Sequence, residues 1–419
     1  MTRVSVFTPS HNPRYLHSCY DSLCRQTNPD WEWIVLLNGA SPDWSPEKHD
    51  ERVLVSRDEG ARGVGAAKRV ACELASGDVL VELDHDDELA SSCLERVADA
   101  FEEHPEVGFV YSDCAQINED ESRNEAQFDH AHGWRYSDVS VDGRFLLRCH
   151  SLAPSPHNVS YIWYAPNHVR AFRRSVYEQV GGYDPSRTIL DDQDLMCRMY
   201  EAAPFFHIRE CLYLQRVHGD NTQSQLVTNR RIQRETVDLY DTYVQRLALA
   251  WAAREGLHCL DLGAAFNKPD GYLGVDKRPG PGVDIVTDLT GGIDLPDSSV
   301  GVIRAVDFLG QVADKVALFN EIHRLLAHGG MLLTLTPSTD GRGPFQDPTS
   351  VAYYNENSFW YFTDASYAAL VPEISCRFQV GRMTTHFPSP WHRQHEISYV
   401  NANLVALKEG PRQGGIRNW

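Results

Sequence analysis

Short apolar runs alternate with helix-like spacings of apolar residues through the first half of the chain. Alternation of this kind predicts a mainly parallel β-sheet whose strands are connected by helices. The predicted strands comprise residues 4–8, 33–37, 53–56, 79–83 and 108–111, and the predicted helices comprise residues 14–26, 65–75 and 91–103. The first half is therefore expected to form an open α/β sheet.

The segment from residue 118 to residue 166 has a different character. Asp, His, Ser, Pro and aromatic residues dominate it, and no period is sustained. Long irregular stretches inside compact enzymes are often binding loops, and we predict one here. Beyond it the pattern predicts a strand at 169–173, helices at 174–180 and 191–201, and one long helix at 229–255.

The alternation of strands and helices starts again at Leu257. Strands are predicted at 259–262, 272–275, 300–305 and 331–336, and a helix at 315–326 is expected to stop at Gly329 and Gly330. We therefore predict an α/β protein with a first domain at 1–225, a helical connector at 226–256, a second domain at 257–410 and a flexible tail at 411–419.

Composition narrows the class of protein. The 58 acidic residues outnumber the 39 Lys and Arg residues and give a formal net charge of -19, which makes duplex nucleic acid a poor partner. The 10 cysteines lack the close spacing of zinc or redox motifs. No apolar stretch reaches the length of about 18 residues that a membrane span needs. The first residues enter a strand pattern without a signal peptide, so we expect a cytoplasmic protein.

An acidic cluster follows the buried strand predicted at 79–83. The tetrapeptide Asp84–Asp87 supplies three carboxylates together with His85, at the strand end where open α/β sheets bind ligands. Mg²⁺ and Mn²⁺ prefer such oxygen ligands and can bridge them to a diphosphate. The alternative is a solvated acidic turn in which Asp87 and Glu88 begin the next helix.

The N-terminal 225 residues or so resemble the family 2 glycosyltransferases, whose fold is the glycosyltransferase A type. The resemblance is carried, in the order of the family, by the segments Phe7–Asn12, Ser22–Thr27, Gly63–Arg69, Ala75–Asp78 and Asp84–Asp87. It implies a nucleotide-sugar donor, a hydroxyl acceptor and inversion at the transferred sugar.

The resemblance also implies roles for individual residues. Asp84 and Asp86 match the DxD pair, which holds Mn²⁺ or Mg²⁺ and contacts the donor, and His218 in the late segment Arg216–Ser224 matches a residue that completes the metal shell or touches the diphosphate. The implied donor-binding residues are Pro9, Asn38, Lys68, Asp84 and Asp86. Two departures stand out: Asn38 lies where the family commonly has an acid that reads the base, and Lys68-Arg69 replaces the usual Arg-Asn.

A second acidic group lies in Asp191-Asp192-Gln193-Asp194, after a Gly-Gly-Tyr turn. A sugar hydroxyl is a poor nucleophile, so a carboxylate must accept its proton during attack. By resemblance Asp192 is the expected base, with Asp191 next, whereas Asp residues at this position also suit helix capping. Trp163 and Tyr164 are either an acceptor platform or core residues.

The second domain resembles the class I S-adenosylmethionine-dependent methyltransferases, which have a Rossmann-like fold. The segments that carry the resemblance include Leu260–Ala265, Gly274–Asp276, Asp284–Leu289, Leu295–Val300, Glu321–Leu326 and Gly341–Pro348. It implies that S-adenosylmethionine contacts Asp261, Gly263, Asp276 and Asp288. Ala265 replaces a glycine of the usual loop, and Val306–Gln311 lacks the usual Glu-His.

The sequence thus predicts a metal-dependent glycosyltransferase whose second domain either methylates the product or is a degenerate, structural domain. The first alternative is a methyltransferase with a non-catalytic sugar-binding module, and the second is a non-catalytic carbohydrate-binding scaffold. The acceptor is a polysaccharide, a lipid-linked glycan or a protein, and the sequence does not distinguish among them.

Overall fold

The computed structural model describes the chain except for residues 1, 40–41, 59, 61–62, 129, 131–132, 162–164, 220, 222–225, 266–267 and 411–419. Trp163, Tyr164 and the predicted tail at 411–419 therefore lie outside the described residues. The chain is an α/β protein that divides into two compact units. The first comprises Met1–Pro154 and Asn158–Tyr243, and the second comprises Ser155–His157 and Val244–Arg417, so the division falls inside the long predicted helix.

The first strand of the first unit begins at Val4, as predicted, and nine further strands follow among the described residues. The strands are β1 (Val4–Ser10), β2 (Trp31–Asn38), β3 (Val53–Asp58), β4 (Val79–Glu82), β5 (Glu88–Leu89), β6 (Phe109–Asn118), β7 (Tyr136–Val141), β8 (Arg144–Cys149), β9 (Arg170–Arg173) and β10 (Phe205–Val217). The helices up to residue 254 are α1 (Leu16–Cys24), α2 (Val64–Leu74), α3 (Cys93–Glu103), α4 (Pro156–Tyr161), α5 (Arg174–Gln179), α6 (Asp191–Ala202) and α7 (Leu226–Arg254).

The first sheet has the strand order β3-β2-β1-β4-β9-β6-β10-β5, with β8 on β6 and β7 on β8. Strands β3, β2, β1 and β4 pair in parallel, as the alternating pattern predicts. Strand β9 is antiparallel to both β4 and β6. Strands β6 and β10 pair in parallel, so the expectation of a mainly parallel sheet fails only for β9, which lies between two strands of the opposite direction, and for the antiparallel pairings of β5, β7 and β8.

The expectation that residues 118–166 are irregular is also wrong for residues 136–149. Strands β7 and β8 form an antiparallel hairpin around Asp142 and Gly143, both of which have positive φ angles (49° and 79°). An Asp-Gly pair between strands is a strong hairpin signal that the absence of a sustained period obscures. The 13-residue strand β10 has no counterpart in the prediction, because register shifts between Ile208 and Tyr213 break its alternation.

The carboxyl ends of the parallel strands lie at one edge of the first sheet. Phe7 of β1 is in register with Glu82 of β4, and Ser10 of β1 is in register with Leu37 of β2. Strand β10 runs in the same direction as β6, and its last residue, Val217, pairs there with Asn118. The segments that follow β1, β2, β4 and β10 are therefore brought to the same edge.

The second unit contains a separate seven-stranded sheet with the order β13-β12-β11-β14-β15-β17-β16. Its strands are β11 (His258–Leu262), β12 (Leu273–Asp276), β13 (Ile285–Val286), β14 (Val300–Val306), β15 (Leu326–Pro337), β16 (Phe378–His386) and β17 (Tyr399–Ala406), and its remaining helices are α8 (Lys315–Leu325), α9 (Trp360–Thr363), α10 (Ala365–Ala368) and α11 (Pro390–Gln394). The first five strands follow the doubly wound order 3-2-1-4-5, and β17 is antiparallel to β15.

The predicted stop of helix α8 at Gly329 and Gly330 is wrong. The helix ends at Leu325, and β15 begins at the next residue. Gly329 lies inside that strand with a φ of 81°, in the stretch where the pairing between β14 and β15 shifts register. Glycine with positive φ here accommodates an irregular strand instead of a helix terminus.

Among the helices of the described residues, none combines the length and the apolar character that crossing a membrane requires.

Candidate active site

A cavity of about 430 Å³ lies at the carboxyl edge of the first sheet. The residues predicted from the N-terminal half all line it, namely Pro9, Asn38, Lys68, Asp84, Asp86, Asp191, Asp192 and His218. His85 of the predicted acidic cluster lines it too, as do His11, Glu82, Asn167, His168 and Arg170, which the sequence did not single out as functional. Residues separated by more than a hundred positions are therefore gathered around one space.

Asp87 is the acid of the predicted cluster that serves the fold. It is buried, and its carboxylate accepts hydrogen bonds from the Tyr213 hydroxyl at 2.7 Å and from the Arg216 backbone N–H at 2.7 Å. Burial and the charges of Asp86 and Asp84 raise the pKa of Asp87 well above its usual range. The acidic turn is thereby fixed onto β10, and neither Asp87 nor Glu88 begins a helix.

Asp86 lies next to His218, as the resemblance implies. Its Oδ2 atom is 2.7 Å from Nε2 of His218 and accepts a hydrogen bond from the Asn221 side-chain amide at 3.2 Å. The Asn221 side chain in turn accepts the backbone N–H of His218 at 2.6 Å. The segment after β10 therefore holds an imidazole and an amide against one carboxylate of the acidic turn.

Asp84 has a different neighbour, His168, which the sequence analysis missed. Nε2 of His168 is 3.8 Å from Oδ2 of Asp84, and ligand atoms of Glu82, Asp84 and His168 all lie within 4.8 Å of one another. Burial in the cavity wall and the charge of Glu82 raise the pKa of Asp84 to about 7. Burial lowers the pKa of His168 well below its usual range, which favours the neutral imidazole that binds metals.

Lys68 connects two buried carboxylates beneath the cavity. Its Nζ atom is 2.7 Å from Oε1 of Glu82 and 3.0 Å from Oδ2 of Asp191. Glu82 also accepts the Tyr183 hydroxyl at 2.9 Å. Burial works against the charge of Lys68, but Asp191 and Glu82 outweigh it and raise the Lys68 pKa well above its usual range. This ammonium group therefore remains charged in a dry environment.

The two candidate bases differ in how open they are. The Asp191 side chain is 5% exposed and ion-paired with Lys68, whereas the Asp192 side chain is 18% exposed and ion-paired with Arg170. Burial raises the pKa of Asp191 to about 6, although Lys68 opposes the shift. Of the two carboxylates, Asp192 is the more accessible from the cavity.

The backbone before helix α6 directs these acids toward the cavity. Leu190 has a left-handed φ of 57°, which is unusual for a residue with a branched side chain. Helix α2 lies close to the turn that leads there, since a Cβ at Gly65 would lie 2.4 Å from the Asp184 carbonyl oxygen. Glycine at position 65 therefore permits the approach that places Lys68 beside Asp191.

The residues predicted to bind S-adenosylmethionine lie near the carboxyl ends of β11, β12 and β13, but their side chains are engaged in other contacts. Asp261 is buried and pairs with Arg304 at 2.6 Å. Asp276 accepts the Arg278 backbone N–H at 3.0 Å, and Asp288 accepts the Thr290 backbone N–H at 3.0 Å.

The glycine loop of the second unit is covered by an aromatic ring. Gly263 has a φ of 74°, and a Cβ built on it would lie 2.8 Å from Cδ2 of Phe308. Ala265 has a φ of 28°, so the substituted position does require the positive φ at which a Cβ is unfavourable. The Phe308 ring occupies the space next to this loop.

Comparison with known proteins assigns the first unit. The model of "Glycosyl transferase family 2" matches residues 5–181. The N-terminal part of the chain therefore carries a family 2 glycosyltransferase domain, and its glycosyltransferase A-like α/β fold is confirmed. This agrees with the resemblance stated from the sequence for this part of the chain.

Several curated relatives match the same region. Chondroitin synthase of Escherichia coli is 24% identical over 227 residues, which are 52% of this chain and 29% of that protein. Hyaluronan synthase of Pasteurella multocida is 24% identical over 256 residues, which are 57% of this chain and 24% of that protein. The matched segments thus span about a quarter of the length of these relatives.

Solved structures show partial overlap with the chain. S. aureus TarS in complex with UDP-GlcNAc overlaps 60% of this chain and 71% of its own, with 16% identity and a TM-score of 0.45. The mannosyltransferase PcManGT from Pyrobaculum calidifontis in complex with GDP-Man and Mn²⁺ overlaps 61% of this chain and 75% of its own, with 16% identity and a TM-score of 0.37.

Glu82 and Arg170 were detectable in principle from the sequence. Glu82 ends the apolar run of β4, and Arg170 begins the short strand β9, and charged residues are rarely buried without a partner. The partner itself was not detectable, because it depends on the antiparallel pairing of β4 with β9, which the sequence analysis did not predict.

Replacing Lys68 with Met should destabilise the first unit. The change leaves Glu82 and Asp191 without their shared buried cation, and removing one partner of a buried pair costs about 3 kcal/mol or more. For a unit of this size that corresponds to a fall of about 6–12 °C in its thermal transition. Differential scanning calorimetry measures it, with the exposed Lys48→Met variant as control, and an unchanged transition in Lys68→Met contradicts the network.

Proposed function

We propose that this chain transfers a sugar from a nucleotide diphosphate donor to a hydroxyl acceptor with inversion at the anomeric carbon. The observation that carries the proposal is the cavity that joins the acidic turn of Asp84 and Asp86 to Asp192. A family 2 glycosyltransferase domain around this cavity supports the same activity.

We propose that the donor diphosphate binds at the acidic turn of Asp84 and Asp86, together with Mn²⁺ or Mg²⁺. The residues fit a divalent cation, because Asp84 and Asp86 bring two carboxylates to one cavity and the buried imidazole of His168, which burial keeps neutral, lies 3.8 Å from Asp84. Asp86, Asp84 and His218 would hold the ion, which when bound neutralises charge on the departing diphosphate. Within the described residues, the buried Nδ1 atom of His168 has no hydrogen-bond partner.

The rest of the donor is placed along the ends of β1 and β2. Asn38 ends β2, and its amide offers a donor and an acceptor to the edge of a nucleotide base. Pro9 lies on the wall next to it in the sheet. Lys68 is held by Glu82 and Asp191, so we propose that it acts on the donor through its charge and not through a direct contact.

Asp192 is placed as the general base. The acceptor oxygen attacks the anomeric carbon, the bond from that carbon to the diphosphate oxygen breaks, and the acceptor proton moves to the Asp192 carboxylate. The greater exposure of Asp192 favours it over Asp191, whose carboxylate is committed to Lys68. Asp191 then serves to hold the start of α6 onto α2.

We propose that the acceptor is a glycan. The curated relatives named chondroitin synthase and hyaluronan synthase are named for polysaccharides, and this supports a glycan acceptor here. A lipid-linked glycan and a protein are the remaining acceptor classes from the sequence analysis. The cytoplasmic location also stays a prediction from the sequence.

The Asp192→Asn variant should keep its affinity for the donor and lose sugar-transfer activity. General-base assistance contributes about 10²–10⁴-fold, so turnover should fall by at least two orders of magnitude while the calorimetric affinity for UDP with Mn²⁺ stays within about twofold. Asp191→Asn is the matched comparison, one residue away on the same helix. Full turnover in Asp192→Asn with loss in Asp191→Asn would move the base to Asp191.

The second unit carries the second candidate activity, methylation of the product. The strand order favours a ligand at the carboxyl edge, because it reverses between β11 and β14, and open sheets bind ligands at such points. The observed contacts do not fit a bound S-adenosylmethionine. The Phe308 ring lies against Gly263, and the side chains of Asp276 and Asp288 accept hydrogen bonds from nearby backbone N–H groups. We therefore propose that this edge binds S-adenosylmethionine weakly, and we propose no methyl-transfer step.

Phe308→Ala should strengthen the binding of S-adenosylhomocysteine by the full chain. The truncation removes the ring that lies over the glycine loop, so we expect millimolar or weaker affinity in the unchanged chain and at least about tenfold tighter affinity in the variant. Calorimetric titration measures both affinities. Absence of binding at millimolar ligand in both proteins would show that this edge is structural.

A further inference from the structure

We propose that Arg170 is a positioning residue for the transfer reaction, which sets the orientation of Asp192 and is itself held by Glu82. The inference rests on the proposed function, because it takes Asp192 as the base. It assigns to Arg170 a role that neither its sequence position nor the family match supplies.

The pairing of the strands places Arg170 and Glu82 together. Strands β4 and β9 are antiparallel, and Glu82 is directly opposite Arg170 in their register. Directly opposed side chains on one face of a sheet are within contact distance, and here NH1 of Arg170 lies 4.0 Å from Oε1 of Glu82. Both side chains are almost completely buried. The cation is therefore anchored to the same strand that delivers Asp84 to the cavity.

The same guanidinium group contacts the proposed base. NH1 of Arg170 forms an ion pair and a hydrogen bond with Oδ2 of Asp192, while Oδ1 of Asp192 accepts the Gln193 backbone N–H at 2.8 Å. One oxygen of the carboxylate is thus tied to β9, and the other is tied to α6. Together the two contacts limit rotation of the carboxylate at the start of a helix.

The charges around this point explain why a cation is needed there. Asp191 and Asp192 are adjacent, and Glu82 makes a third carboxylate beneath the cavity. Lys68 forms ion pairs with Asp191 and Glu82, and Arg170 forms ion pairs with Asp192 and Glu82. Without Arg170, Lys68 alone would balance the three carboxylates, and repulsion from Asp191 and Glu82 would turn the unpaired Asp192 carboxylate toward the solvent side of the cavity.

Arg170 has donor capacity left after these contacts. Its buried Nε atom has no hydrogen-bond partner among the described residues, and the side chain lines the cavity. A lysine at this position would keep the charge but lose the planar fork that fixes the direction of the contact. The chemistry of arginine, and not charge alone, is what the position uses.

A double-mutant cycle with Arg170→Gln and Asp192→Asn tests the proposal. The readout is nucleoside diphosphate release from a panel of UDP-glucose, UDP-N-acetylglucosamine, UDP-glucuronic acid and GDP-mannose with Mn²⁺. Misplacing a reacting group by about 1 Å costs about 10²-fold, so Arg170→Gln should lower kcat by about that factor and leave the donor KM within about twofold. In the Asp192→Asn background the same change should lower kcat no further.

Arg170→Lys and Arg3→Gln are the controls. The lysine variant should recover part of the loss, to about tenfold below the unchanged chain, and it preserves the buried charge if the glutamine variant fails to fold. Arg3 pairs with Glu32 on the surface, so its loss should leave kcat unchanged.

Each contrary outcome has a separate meaning. Normal kcat in Arg170→Gln with an inactive Asp192→Asn, or independent multiplicative losses in the double variant, would overturn the positioning role and leave the proposed function standing. Full turnover in Asp192→Asn would overturn the base assignment and the positioning role with it. No turnover of any donor by the unchanged chain would overturn both the proposed function and this inference.

Discussion

The pairing of Lys68 with Glu82 is the interaction on which the first unit's cavity depends. Glu82 is the last residue of β4, and its side chain is 1% exposed. A buried carboxylate without a partner would cost several kcal/mol, so the strand end is stable only when cations are brought to it. Lys68 comes from α2 and Arg170 from β9, and Lys68 also carries Asp191 at the start of α6. Neutralising one buried carboxylate thereby fixes two helices and two strands around one space.

The acidic turn is anchored independently of that network. Asp87 fastens the turn to β10 through Tyr213 and Arg216, which leaves Asp84 and Asp86 to face the cavity. Burial and the neighbouring charges of Glu82 and Asp86 raise the pKa of Asp84 to about 7, so the charged form of this carboxyl is disfavoured there. The proposed function assigns donor binding to this turn and proton acceptance to Asp192, whose carboxylate is paired with Arg170 at the other end of the cavity.

Much of the first unit could be predicted from the sequence, and the limits have physical causes. Asp84, Asp86, Asp192 and His218 were found because short motifs carry them, and the structure brings all four to one cavity. Arg170 and the strand β10 were missed because their meaning depends on antiparallel pairings and register shifts between segments distant in sequence. In the second unit the glycine loop at Gly263 stays a predicted cofactor contact, whereas the ring of Phe308 beside it follows another strand and had no local signal in the sequence.

The most direct test of the central claim is metal-dependent release of nucleoside diphosphate by the full chain. A panel of UDP-, GDP- and dTDP-sugars would be incubated with Mn²⁺, with Mg²⁺ and with excess chelator, alongside Asp84→Asn and Asp86→Asn variants and the exposed Asp78→Asn control from the opposite end of β4. The account predicts release from at least one donor, its loss on chelation and in both strand-end variants, and unchanged release by the control. Release that persists in Asp84→Asn and Asp86→Asn, or no release from any donor by a folded chain, would contradict it.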